Sequence, residues 1–241
     1  MERLLLLSLL LLLSMQNYAQ EVEKELKDSK FSLSLELSSK YMWRGLEYGD
    51  APTVFPGINF NYKNFNAYAM GAYSVNGSHQ EVDLGVGYTK DWFFIGAADY
   101  YYPSAVGNKD SYFNLNNRET GHYVELYTTI SPQNIPLWLT LSSYIWGADK
   151  NLDGKQAYSS YAELGYKFNF KNDNVLSLCV GAALNKSFYT DYEKGFNVVN
   201  IGLKYATSIP LGKFNLPVSA SYIINPYKEK SFITFSLYLN S

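Results

Sequence analysis

KFSLSLELSSKYMWRG, residues 30–45, sorts its side chains by parity. Phe31, Leu33, Leu35, Leu37, Tyr41 and Trp43 stand at odd positions, and Ser32, Ser34, Glu36, Ser38, Lys40 and Arg44 at even ones. Only Ser39 and Met42 blur the rule. Side chains two apart along a strand share one face of the sheet. The stretch therefore predicts a strand over 31–44 with one apolar and one polar face, and what solvates each face decides the fold.

The chain begins MERLLLLSLLLLLSMQNYAQ, an apolar block from Leu4 to Leu13 followed by polar residues and the small residue Ala19. The block is too short to cross a bilayer and has the layout of a secretory signal peptide, residues 1–19, with cleavage expected after Ala19. Beyond it no apolar run approaches the roughly 18 residues of a membrane-spanning helix. Composition is unusual. Tyrosine supplies 23 of 241 residues, and charged residues make up 17%, against about 25% in an ordinary soluble domain. The net charge of −2 excludes a strongly basic nucleic-acid surface. One cysteine, Cys179, permits no internal disulfide and reads as a small strand residue.

Period-two segments recur along the chain. They are 31–44, 53–62, 65–74, 81–89, 92–102, 121–130, 137–146, 158–170, 175–186, 196–207, 214–224 and 231–239. In 81–89, for example, Val82, Leu84, Val86 and Tyr88 oppose Glu81, Asp83, Gly85, Gly87 and Thr89. The links 45–52, 75–80, 103–120, 147–157, 187–195 and 225–230 are long. They alternate with the shorter links 63–64, 90–91, 131–136, 171–174 and 208–213. Antiparallel strands threading an outer membrane have this pattern, with short periplasmic turns and longer outer loops. In hydrocarbon a sheet satisfies its backbone N–H and C=O groups only by closing on itself. The expected fold is thus an all-β transmembrane antiparallel up-and-down barrel of about 12 strands, of outer-membrane type. It occupies residues 31–241, after a short periplasmic segment at 20–30. In this register Tyr41 and Trp43 belong to the aromatic girdle. Pro56 and Pro217 each remove a ladder donor near a strand start, and NFNAYAMGAYS (64–74) does not declare its apolar face.

YMWRGLEYGDAPTVFPGINF (41–60) carries an aromatic-x-Trp-Arg-Gly run, a polar loop, a proline and a glycine-containing second strand. With EVDLGVGY (81–88), DYYYP (99–103), HYVELY (122–127) and YAELGY (161–166) in this order, the chain resembles the TorF-type porin family. These bacterial conserved proteins are also described as Gcw-type. The resemblance spans nearly the whole chain after the signal peptide and implies an outer-membrane barrel in a Gram-negative bacterium. The chain departs from the common outer-membrane pattern by ending in LYLNS instead of an aromatic residue.

Inward projection of the polar phases gives Glu36, Lys40, Arg44, Glu81, Asp83, Asp99, Glu125, Glu163, Lys167 and Lys204 as lumen-lining candidates. That is six acids and four bases, a count that predicts a mild cation preference. Tyr101, Tyr123, Tyr127 and Tyr161 project inward too and narrow the bore. Twelve strands lie between barrels that side chains fill and those that conduct freely. Arg44 reads either as a positive constriction or as a structural partner of Glu81 or Asp83, since buried charge needs pairing. His79 is expected in a solvated loop. His122 and Ser143, both in the lipid-facing phase near one rim, are the only pair that an active site would use, and no third member is evident. Metal and nucleotide sites have no basis: two distant histidines and one cysteine do not make a closed zinc site, and GVG at 85–87 lacks a following helix. No cofactor is expected.

The sequence therefore reads as a narrow outer-membrane channel for small polar solutes, in contact with outer-membrane lipid and lipopolysaccharide. A closed structural or surface-binding barrel is the alternative, and a lipid-modifying enzyme the third reading. The oligomeric state stays open.

Overall fold

The structure, a computed structural model, describes residues 30–103 and 111–240. The signal peptide, nearly all of the 20–30 segment and part of the 103–120 loop lie outside the described residues. The first four strands are β1 (Phe31–Ser38), β2 (Tyr41–Trp43), β3 (Leu46–Gly49) and β4 (Thr53–Tyr62). Next come β5 (Phe65–Ser74), β6 (Gln80–Lys90), β7 (Phe93–Tyr101), β8 (His122–Ile130) and β9 (Leu137–Gly147). The last five are β10 (Ser160–Asn169), β11 (Val175–Ala183), β12 (Asn197–Leu211), β13 (Phe214–Asn225) and β14 (Lys230–Asn240).

Among the described residues, twelve strands close into one antiparallel barrel, each pairing with its neighbour in the chain and β1 pairing with β14. Only β2 and β3 stand outside it, as a two-stranded hairpin. Closure leaves no sheet edge, so every wall strand finds partners on both sides.

Parity assigns the two faces. Phe31, Leu33, Leu37, Ile58, Leu84, Val86, Ile95, Leu126, Leu164, Leu178, Leu203, Ile233 and Phe235 are exposed on the outer wall. Glu81, Asp83, Glu125, Ser142, Ser219 and Thr234 are buried on the inner one. β5 is settled by its neighbours: Phe65 pairs with Tyr88 and Met70 with Asp83, which turns Phe65 and Tyr73 outward and Tyr68 and Met70 inward. The prolines sit where a ladder is already open. Phe55 and Pro56 are skipped between the Val54–Tyr73 and Gly57–Met70 pairs. The β13–β14 ladder starts at Val218, one residue after Pro217.

The first strand departs from expectation. The wall strand ends at Ser38, not at residue 44. Ser39 still donates its N–H to the Phe235 carbonyl (2.8 Å) and accepts the Phe235 N–H on its hydroxyl (2.9 Å). Beyond it the chain turns into the barrel, so Ser39 and Met42, the residues that blur the alternation, flank the departure. Tyr41 and Trp43 consequently leave the lipid interface. Tyr41 packs edge-on against the inward Phe55 at 5.0 Å, and Trp43 stacks toward Tyr189 at 6.2 Å. Offset and edge-on ring pairs of this kind contribute about 0.5–1.5 kcal/mol each beyond their buried area.

Candidate functional site

The hairpin crosses the lumen. Trp43 pairs with Leu46 around a two-residue turn in which Arg44 (φ 50°) and Gly45 (φ 80°) are both left-handed. That is the mirror-type turn whose twist suits a tight hairpin. A side chain on Gly45 would collide with the Val199 carbonyl of β12, and the Gly45 carbonyl accepts from Asn225 Nδ2 of β13 (3.1 Å). The tip is thus seated against β12 and β13.

Arg44 is the centre of the contact. Its Nη1 and Nη2 donate to Glu125 Oε1 (2.5 Å) and Oε2 (3.2 Å), and Nη1 donates also to the Tyr189 hydroxyl (2.6 Å). Tyr100 donates to Glu125 Oε2 (2.9 Å). The guanidinium lies over the Trp43 and Tyr161 rings, 4.1 and 4.8 Å from their centres. A two-pronged pair sandwiched between rings is the geometry for which a planar guanidinium is suited and an ammonium is not. The side chains are 12% and 1% exposed, so each charge depends on the other. Arg44 therefore has a carboxylate partner, but it is Glu125 on β8 and not Glu81 or Asp83. In the barrel order β8 stands nearly opposite β1. Tyr189 comes from a short 3-10 turn, Phe188–Thr190, in the loop after β11. Burial pushes its phenol above its ordinary value while Arg44 draws it back down, which keeps it a neutral acceptor.

The remaining candidates sort by face. Glu81 bonds His79 (Oε2 to Nε2, 2.9 Å) behind the hairpin, where His79 also meets Tyr41, Tyr48 and Tyr102. His79 is therefore enclosed, not solvated, because the inturned hairpin covers its loop. Asp83 is buried beside Glu81 on the inner face. Glu163 accepts from Trp138 Nε1 (3.4 Å), the Tyr161 hydroxyl (2.7 Å) and Asn200 Nδ2 (3.1 Å). Lys40 pairs with Glu47 on the hairpin, and the two side chains are 28% and 26% exposed, so water reaches this edge.

Asp99 is not in the lumen. It pairs with Leu84 and Val124, both on the outer face, and its Oδ2 meets His122 Nδ1 at 2.8 Å. A carboxylate is tolerated there because it lies near the end of β7 and is shared with an imidazole under Tyr112. Tyr101 goes the same way, packing on Tyr112 and His122 outside the bore, while Tyr123, Tyr127 and Tyr161 point inward. His122 Nε2 contacts the Tyr112 carbonyl (2.7 Å), so both ring nitrogens are engaged away from Ser143. Ser143 pairs with Leu126, four residues along β8, and bonds Ser160 (3.0 Å). The dyad does not form. No group of three metal-ligating side chains occurs among the described residues.

Below the hairpin two cavities of about 660 and 430 Å³ adjoin, both touching Met42, Lys204, Ser221 and Ile223. The larger runs from Arg44 to Thr129, Ser131 and Lys167 at the end of the short turns. The smaller runs along β1, β13 and β14 from Glu36 and Tyr238 to Lys40. Glu36, Lys40, Asp83, Glu163, Lys167 and Lys204 thus line the cavities, whereas Glu81 and Glu125 are sealed.

A closed barrel with an apolar outer wall, a polar inner wall and an inturned segment defines the outer-membrane type of β-barrel. No protein-family model matches the sequence, and no curated protein matches it. Solved structures do. A NanC porin superimposes with a TM-score of 0.52 at 10% identity, over 87% of this chain and 98% of that one. A KdgM porin gives 0.48 at 9%, over 87% and 97%, and a KdgM porin in complex with disordered oligogalacturonate gives 0.49 at 7%, over 87% and 96%. At these identities the likeness is one of fold.

Proposed function

We propose that the protein is an outer-membrane channel of the TorF type that passes small polar solutes through a bore narrowed by its own hairpin. The observation that carries this reading is the pair of adjoining lumenal cavities. Serine, lysine and glutamate line them, and they lead up to the water-accessible Lys40–Glu47 pair. The apolar outer wall contacts outer-membrane lipid and lipopolysaccharide, and solutes travel along the β10–β14 side, where inward residues such as Ser177, Ser221 and Ser236 are small. The β4–β9 side is filled by Tyr68, Tyr100 and Tyr144, and the hairpin spans the bore above the cavities.

The depth of that filling favours a second reading, a closed structural barrel. Tyr144, Tyr161 and Tyr189 are fully buried in the half of the lumen nearest the long loops. Planar bilayers separate the two. Discrete openings from the purified protein are the expected result. Silence across salts and voltages, persisting when the hairpin is loosened, leaves the closed barrel standing.

A further inference from the structure

Charge pairing divides the lumen unevenly. Glu125 is ion-paired with Arg44 and Glu47 with Lys40, and Glu81 is hydrogen-bonded to His79. Asp83 is buried, and Asp99 is outside. Lys167 and Lys204, by contrast, have no carboxylate within ion-pair distance among the described residues. Lys204 Nζ donates only to the Tyr238 hydroxyl (3.2 Å). Lys167 lies over the Trp138 ring, 5.4 Å from its centre, and Lys204 over Tyr238 at 5.5 Å.

Both ammoniums face the larger cavity, whose volume of about 660 Å³ lies in the range of small-molecule sites. Three carboxylates oppose them, and one of these, Asp83, lines the neighbouring cavity but is buried beside Glu81. Glu163 lines the larger cavity but already accepts three hydrogen bonds, and Glu36 lines the neighbouring one beside Tyr238. Fixed cations in a low-dielectric bore raise the local concentration of anions. Ser177, Ser221 and Thr129 add hydroxyls around the two charges, and Trp138 adds a flat face for a C–H-rich skeleton.

We propose that this cavity is an anion-selective binding site for small hydroxylated carboxylates, with Lys167 and Lys204 as its selectivity-determining residues. The inference rests on the channel reading for its transport meaning but not for its binding. It reverses the cation preference that the bare count of lumenal charges predicts, because Glu125 and Glu47 are held in ion pairs, Glu81 and Asp83 are buried and Glu163 is held by three hydrogen bonds, while both ammoniums face the cavity.

The test uses full-length protein and two probes with the same six-carbon polyol skeleton, sodium gluconate and neutral sorbitol. Under a tenfold KCl gradient the reversal potential is expected to show chloride more permeant than potassium. Lys167→Gln combined with Lys204→Gln is expected to abolish or invert that preference with the single-channel events retained. In detergent, gluconate but not sorbitol should shift the tryptophan fluorescence saturably. The shift should vanish in the double variant and shrink in Trp138→Phe. Cation-selective openings, or equal responses to gluconate and sorbitol, overturn the proposal. A silent bilayer with a gluconate-specific, lysine-dependent fluorescence change overturns the channel reading and keeps the site.

Discussion

Arg44 holds a backbone conformation that costs an L-residue roughly 1–2 kcal/mol, at a turn position where asparagine is the usual choice. Its side chain is what offsets the cost, through the two-pronged bond to Glu125 and the bond to Tyr189. Removing it strands a buried carboxylate, so Arg44→Ala is expected to lower the unfolding free energy by about 3–5 kcal/mol. Urea titration in micelles followed by tryptophan fluorescence reads this. Arg44→Lys should recover little, since an ammonium supplies one prong and no flat face. Glu125→Gln added to Arg44→Ala should recover part of the loss, because the orphaned charge goes with it. Recovery by lysine alone would show that charge and not geometry holds the tip.

The hairpin is an element apart from the wall. Its two strands pair only with each other, and the barrel ladders run from β1 straight to β4 through eight residue pairs. Replacing residues 41–49 by a glycine-serine linker is therefore expected to leave heat-modifiable gel migration intact while raising conductance several-fold. Loss of heat modifiability would mean that the barrel needs the hairpin to fold. Gly45→Val is the smaller version: the added carbons meet the Val199 carbonyl, so the tip should lift and conductance rise without loss of the barrel. Alternation alone does not announce this element. Over 31–44 the parity continues almost unbroken into the hairpin, because β2 is itself a strand with an aromatic face. Only the Ser38-Ser39 step and the Arg-Gly pair mark the change of direction.

For the molecule as a whole, closure sets the cost of a charge by face. Leu126→Arg on the outer wall is expected to cost about 2–4 kcal/mol near mid-membrane. Ser177→Arg, into the open cavity, should stay within about 0.5 kcal/mol. Unfolding in lipid vesicles compares the two, and equal costs would argue against a lipid-facing outer wall. Most of this architecture was legible in advance. The strand segments, the alternation of short and long links, and the inward placement of Glu81, Glu125, Glu163 and Lys204 follow from parity and turn chemistry. Asp99 shares its parity with Ile95 on the outer face, where the carboxylate is held by His122 instead of facing the lumen. His79 reads as a solvated loop residue in the sequence because nothing near it in the chain reveals that a distant hairpin covers its loop.

By itself the sequence determined a twelve-strand barrel with its faces and its loop sides, because period-two alternation and tight turns are local properties written within a few residues. Only the tertiary structure decided that β1 stops at Ser38, that the next segment turns inward, and that Arg44 finds Glu125. Those two residues lie 81 positions apart, and nothing local brings them together. The meeting exists because closure of the wall places β8 across the lumen from β1, where a buried guanidinium has to find a carboxylate.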